Sequence, residues 1–320
     1  MHRPDSHGRR SGRRDAAHQR PGVSLVELLV ALALFGVIGA AVLTSLDRQA
    51  RLHGGVIRIL ETHAQLTATV DVVATELRSA QARGDVLALS DTAVAYRATI
   101  GVAVACALAA GTVDLVPEAL PSGRSLAALR SAPQPGDTLW IHDEGPTLSP
   151  ADDRWDPQRV TSVSRVAGAC NGTPFVTPGT DDGAMAWRLS LSGTSIPASL
   201  RPGSAVRLTR HARFALYRAS TGDWNLGWAE WNPTSNRWNV IQPVTGPLKP
   251  YHASVPAASG FALQARDSTG VLITATSSRP PAAIVATARA ATTATIRIDG
   301  IGRGVHADSL RSVITLRNRP

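Results

Sequence analysis

Lysine is almost missing from this chain. Lys249 is the only one among 33 basic residues; the rest are arginine. No binding chemistry requires that bias, which reads as one of genome composition. Phe and Tyr are scarce, four and three in 320 residues. Only two cysteines occur, Cys106 and Cys170, with no CxxC and no histidine at metal spacing, which excludes zinc ribbons and thioredoxin-type redox sites. No Walker loop, HExxH, GxSxG or EF-hand pattern is present. The Gly-rich run Gly300–Gly304 is not followed by a helical pattern and reads as a loop. His142, His211, His252 and His306 are dispersed. These absences leave nothing that argues for an enzyme, and no metal or cofactor is expected.

What is present suits an ordered chain. Hydrophobic residues make up 43% and charged residues 18%, enough for one large head or two small ones plus extensions. Ala, Gly, Ser, Thr and Val are abundant, a mix that favours β-structure with many turns. The net charge of +9 is uneven: residues 1–22 hold six Arg against Asp5 and Asp15. A basic chain can be a nucleic-acid binder. A basic leader with scattered arginines elsewhere is the preferred reading, and no nucleic-acid partner is expected for the isolated chain. The two cysteines stay open between a disulfide, in an oxidising compartment, and buried thiols. Asp152-Asp153 and Asp181-Asp182 are acidic pairs that calcium could use; solvated acidic turns are the preferred reading.

The N-terminus carries the strongest signal. Residues 1–20 are polar and basic, without apolar periodicity. After Pro21-Gly22 an apolar run continues to Leu46. It is about 24 residues long, roughly 36 Å as a helix, enough to span a hydrocarbon core. A secretory h-region is shorter, about 7–15 residues. The preceding arginines keep the N-terminus cytoplasmic and send the rest across. One residue breaks the run. Glu27 is its only ionisable group, and a carboxylate near the bilayer centre costs about 2–3 kcal/mol on insertion scales. Either it sits at the interface or it has a cationic partner.

The segment Gly22-Val23-Ser24-Leu25-Val26-Glu27-Leu28-Leu29 resembles the cleavage and methylation signal of type IV pilins and type II secretion pseudopilins. The family usually has Phe at the position of Val23, and this leader is longer than many. The resemblance implies that a prepilin peptidase cuts between Gly22 and Val23. Val23 then becomes an N-methylated N-terminus. Glu27 would pair with that amine on a neighbouring subunit, which supplies its missing partner. The partners implied are the peptidase, other minor and major pilins or pseudopilins, and inner-membrane lipid, with the head in the periplasm. Gly36 and Gly39 suit close helix packing or local unwinding on filament entry.

From Asp47 to about Arg83 there is no Pro. Apolar residues at Leu52, Val56, Ile59, Leu60, Leu66, Val70, Val73, Leu77 and Ala80 recur in steps mostly of three or four, an amphipathic helix. Gly54-Gly55 is its weak point and Gly84-Asp85 its end. Beyond it the pattern turns to β. Strands are expected at Val86–Leu89, Ala93–Arg97, Asp137–His142 and Arg159–Val166. A meander is expected over 211–244, with further strands at Phe261–Ala265, Val271–Ile273, Ile284–Ala290, Ala294–Ile298 and Ser312–Leu316. Residues 117–136 read as loop or short helix, and 143–158 as loop. Trp224, Trp228 and Trp238 read as packing rings with no basic stripe between them. Short motifs at Gly260–Leu263, Asp267–Gly270 and Val313–Asn318 resemble PilW-like minor pilins and J-type minor pseudopilins.

The fold expected is therefore α+β: a leader (1–22), a membrane-spanning half-helix (23–46), an amphipathic half-helix (47–83) and a β-rich, mainly antiparallel head (84–320). The function it implies is a minor pilin or pseudopilin that starts or caps a filament. Two alternatives stand beside it. One is an exported soluble binding protein, with Arg13-Arg14 as a twin-arginine leader and a cut near Ala40-Ala41. The other is a permanently anchored periplasmic protein.

Overall fold

The structure, a computed structural model, describes residues 22–81, 84–147, 152–193, 200–273, 281–298 and 302–317. By its internal packing the chain forms two units, residues 1–55 and 56–320. The first is the start of a single helix, α1 (Leu25–Arg78). It is long and apolar enough to cross a membrane, with a mean hydropathy of 2.6 in its most apolar window and none of that window buried. No Pro interrupts it, so the backbone ladder can run through. Asp47 and Arg51 pair one turn apart at 2.7 Å, where charge resumes after the apolar run.

The rest of α1 belongs to the second unit. Leu66, Val70, Val73, Ala74 and Leu77 are buried there, a stripe at helical spacing. The amphipathic pattern expected from residue 47 onward thus buries only its later part. Val56 and Leu60 remain 50% and 61% exposed. α1 also ends earlier than the expected Arg83. Ala80 N–H closes a short turn on the Leu77 carbonyl at 3.1 Å. Gln81 N–H donates to Asp85 Oδ2 at 2.8 Å, so a side chain takes over where the ladder stops. Gly84 follows with φ +95°, a conformation that a Cβ would oppose.

Then come β1 (Val86–Leu89), β2 (Ala93–Ala109), β3 (Thr112–Leu115), β4 (Ala128–Leu129), β5 (Thr138–Asp143), β6 (Arg154–Ala167), β7 (Met185–Leu191), β8 (Ala205–Arg218) and β9 (Trp224–Asn232). They are followed by β10 (Arg237–Trp238), β11 (Gln242–Leu248), β12 (Phe261–Arg266), β13 (Leu272–Ile273), β14 (Ala283–Ala291), β15 (Ile296–Ile298), β16 (Gly302–Gly304) and β17 (Ala307–Thr315). All the ladders between these strands are antiparallel. The fold is α+β, one long apolar helix and a mainly antiparallel β domain.

Two long strands organise it. β2 and β8 pair from Ala93↔Ala215 to Val104↔Ala205, with one bulge between Thr99 and Gly101. At one end this ribbon closes a ring: β2 pairs β3, β3 pairs β7, β7 pairs β6, β6 pairs β5, and β5 returns to β8. The ring is a small closed barrel, filled by Leu139, Ile141, Val160, Leu189, Val206 and Leu208. At the other end β2 and β8 are flanked by β1 and β9. There the inward residues Val94, Tyr96, Ala212 and Phe214 share a core with the buried stripe of α1. The second sheet, β13-β12-β14-β17, adds Phe261, Ile284 and Ile314 to that core. Tyr96 and Phe214 stack in it, centroids 5.6 Å apart.

The structure departs from the sequence expectations in several places. Residues 117–136 hold no helix, only the short β4. The loop expected over 143–158 gives way to β6 at Arg154. Pro157 sits inside that strand opposite Trp140. It is tolerated because β7 pairs β6 only from Val160 onward, so β6 is an edge at that point. β3 and β7 were not expected. The meander forms, but β10 stops at Trp238 and β11 resumes at Gln242. Gly302–Gly304, read as loop, pairs with Ile296–Ile298. The rest of that glycine run, and Asn318, lie outside the described residues.

Candidate functional site

Three places carry the polar chemistry. The first is the start of α1. Ser24 stands just before the helix. Its Oγ accepts the Glu27 N–H at 3.2 Å, and its carbonyl accepts the Leu28 N–H at 3.1 Å. Ser24 is thus the N-cap, and Ser-Leu-Val-Glu has the spacing of a capping box. Glu27 lies in the first turn, where the helix dipole favours a carboxylate. Val23 is 70% exposed and directly precedes this cap. Around Gly22, Gly36 and Gly39 an added Cβ would meet nothing within 4 Å, so none of the described residues packs on them.

The second place is the end of the barrel that carries the cysteines. Cys106 and Cys170 are joined as a disulfide, with Cα atoms 5.4 Å apart. They are buried with Val116, Leu120, Val176 and Ala186. Asp181, 1% exposed, gathers the loops beside them. It accepts Ser122 N–H at 2.8 Å, Ser122 Oγ–H at 2.8 Å and Thr177 N–H at 2.7 Å. Burial pushes its carboxyl up, but the donors of Thr177 and Ser122 outweigh this and hold it below the usual Asp value. Asp181 is therefore a buried knot and not the solvated turn expected. Asp152 instead accepts Thr147 N–H and Oγ–H at 2.9 and 2.7 Å. Among the described residues no group of acidic, His or Cys side chains is arranged to hold a metal ion.

The third place is the outer face of the β2–β8 ribbon, opposite the cores. Trp140 on β5 lies beneath two guanidinium groups, Arg97 of β2 at 5.5 Å and Arg207 of β8 at 5.8 Å. Its indole N–H donates to Thr209 Oγ1 at 3.0 Å. Arg213 sits over Trp238 at 4.7 Å, and Trp231 meets the edge of Trp238 at 5.4 Å. Basic and aromatic groups meet here, Arg213 on Trp238 and Arg97 and Arg207 on Trp140. Arg207 is paired with Asp85 at 2.6 Å. Burial lowers the pKa of Arg97 and of Arg213. It also lowers that of His211, with the charges of Arg97 and Arg159 adding to the effect. Trp224 and Trp228, by contrast, pack against the α1 core.

A cleft of about 360 Å³ beside α1 is lined by Val72, Glu76, Phe214, Trp228, Glu230 and Val244 among others. It brings acids and rings together, with Arg130 on Glu76 at 2.9 Å, but no nucleophile paired with a base.

Residues 18–43 match the family model described as the prokaryotic N-terminal methylation motif. The chain carries a prepilin-type N-terminus. The matched stretch includes Gly22, Val23, the Ser24 cap, Glu27 and the exposed apolar turns of α1. No curated protein and no solved structure matches the chain. Such a methylation motif is a prepilin peptidase substrate signal, and the exposed apolar helix behind it suits membrane anchoring. The sequence reading named Gly22, Val23 and Glu27, which lie within the matched stretch, and Cys106 and Cys170, which the structure joins. It missed Asp85, the Asp181 knot and the outer arginine–tryptophan face, whose members lie on different strands and leave no local signal.

Proposed function

We propose that this chain is a minor pilin or minor pseudopilin, a structural subunit that starts or caps a type IV pilus or type II secretion pseudopilus. The observation that carries the reading is Glu27. It is the only carboxylate in the exposed apolar run 23–46, four residues after Val23. A neighbouring subunit's freed N-terminal amine gives it a counter-charge, and lipid does not. The size of the head, 84–320, favours a minor subunit over a major one. A Cys106–Cys170 disulfide is consistent with a head on the oxidising, periplasmic side of an inner membrane. The exposed Val56 and Leu60 extend the apolar surface available to other subunits.

N-terminal sequencing and mass measurement of the chain co-expressed with a prepilin peptidase test this. The expected product begins at methylated Val23, and Gly22→Ala retains the leader. A mature chain that begins beyond the apolar run, or processing that ignores Gly22→Ala, overturns the reading.

A further inference from the structure

The cleft beside α1 carries chemistry that a filament role does not use. Directly opposed residues on neighbouring strands share a face. Register therefore places Tyr96, Ala212 and Glu230 in one row across β2, β8 and β9, and Val94, Phe214 and Trp228 in the next. Ala212 and its diagonal neighbour Ala98 are small. They leave the sheet face hollow beside the Tyr96 ring and the Glu230 carboxylate. Val72 and Glu76 of α1 line the same hollow, and Arg130 lines it just after β4. The Arg130 N–H donates to the Ile100 carbonyl at 2.7 Å, which pins its backbone there.

Three features of the hollow point to a ligand. The first is the Tyr96 hydroxyl. Tyr96 is fully buried, and its hydroxyl makes no hydrogen bond of good geometry, although Trp228 lies beside it. Glu76, Arg130 and Glu230 all line the cleft, and theirs are the charges that act on that hydroxyl. It therefore sits at the floor of the cleft, and a buried donor left unmet is costly. The second feature is unequal charge. Arg210 commits its paired bonds to Asp137, at 2.7 and 3.0 Å, and reaches Glu230 only at 3.4 Å. Arg130 holds Glu76 at 2.9 Å, but its side chain is 69% exposed, so the pair is weak. Glu76, Asp137 and Glu230 thus outnumber Arg130 and Arg210 by one. The third feature is the pair of rings, Phe214 and Trp228. Among the described residues no set of acidic or His side chains is arranged for a metal ion, so two carboxylates beside two rings suit an organic cation better.

We propose that this cleft binds a small organic cation with an apolar body: an ammonium, amidinium or guanidinium head on an alkyl or aryl stem. The head donates to the Glu230 carboxylate and to the Tyr96 oxygen, and it displaces the exposed Arg130 guanidinium from Glu76. The stem lies against Phe214 and Trp228, whose rings attract a cation. An anion would meet two carboxylates there, and a neutral ring would leave them unanswered. A volume of about 360 Å³ lies near the lower end for ligand pockets, which suits a single head and stem. Such binding does not depend on whether the chain enters a filament.

Fluorine NMR of para-fluorobenzamidine, titrated with the full-length chain in detergent, tests this. The neutral probe of the same shape is para-fluorobenzamide, which also corrects for uptake into micelles. The amidine signal is expected to broaden saturably, with the amide binding about tenfold more weakly. Glu230→Gln should weaken the amidine about tenfold. Arg210 keeps its paired bonds to Asp137 in that variant. Arg130→Gln should act the other way and tighten binding about threefold, because it frees Glu76. Arg130 is exposed at its tip, so this variant reports binding even if Glu230→Gln fails to fold. Absent binding of the amidine, or equal binding of the amide, overturns the proposal. So does an affinity that Arg130→Gln leaves unchanged or lowers. A peptide with a central arginine that binds while the free amidine does not assigns the cleft to a protein partner and sinks it too.

Discussion

Arg207 and Asp85 meet at 2.6 Å, with 12% and 1% of their side chains exposed. The contact ties the turn that ends α1 to β8. Asp85 uses the same Oδ2 to accept the Gln81 N–H, so one carboxylate both stops the helix and neutralises a strand cation. Asp85→Asn keeps an acceptor for Gln81 but leaves Arg207 beside Arg97 without a counter-charge. Breaking a buried pair by removing one partner costs about 3–5 kcal/mol. Urea unfolding should show a loss near the lower end, because Arg207 stays partly accessible to solvent.

The Cys106–Cys170 bridge closes a separation of 64 residues. Loop closure of that length corresponds to about 4 kcal/mol in the unfolded-state model. Cys106→Ser with Cys170→Ser should lower the denaturation midpoint accordingly. The wild type should match the double variant in the presence of reductant. Equal midpoints with and without reductant would mean that the bridge contributes nothing.

Acid should untie the Asp181 knot. The folded pKa of this carboxyl lies below its usual value, so its stabilisation is fully present above about pH 3.9 and is lost as pH falls through the folded value. Asp181→Asn should lower stability at pH 6 and remove part of the acid dependence below about pH 4. Parallel stability–pH curves for the two proteins would show that Asp181 is not the group responsible.

Ser24 and Glu27 separate a local role from an intermolecular one. Ser24→Ala removes the cap, worth about 1 kcal/mol of helix stability. Glu27→Gln leaves the backbone N–H that the cap uses. It should therefore preserve helix content and cleavage, read by circular dichroism and mass. Assembly with other subunits, read by co-purification or filament counts, should fail. Intact assembly would remove Glu27 from the interface.

The apolar start of α1 was legible in the sequence because an unbroken apolar run without Pro is a one-dimensional property. Strands with clean alternation, such as Ala93–Arg97 and Ile284–Ala290, were legible for a similar reason. The closed ring was not. Its closure depends on β2 finding β8 roughly a hundred residues later, as Ala98 finds Arg210, and no local pattern encodes a partner. Thr112–Leu115 is only four residues long, too short for alternation to stand out. Pro157 masked the first half of β6 because its edge position becomes visible only once β7 is placed. Arg97, Trp140 and Arg207 sit on three strands, so their stacking exists only after folding.

β2 and β8 are walls of the barrel at one end and the floor beneath the buried stripe of α1 at the other, so neither core has a boundary of its own. Melting of the barrel should drag the helix-side core with it in one cooperative step. Tension applied through α1 would be shared along the whole length of that ladder and would not peel the subunit apart in stages.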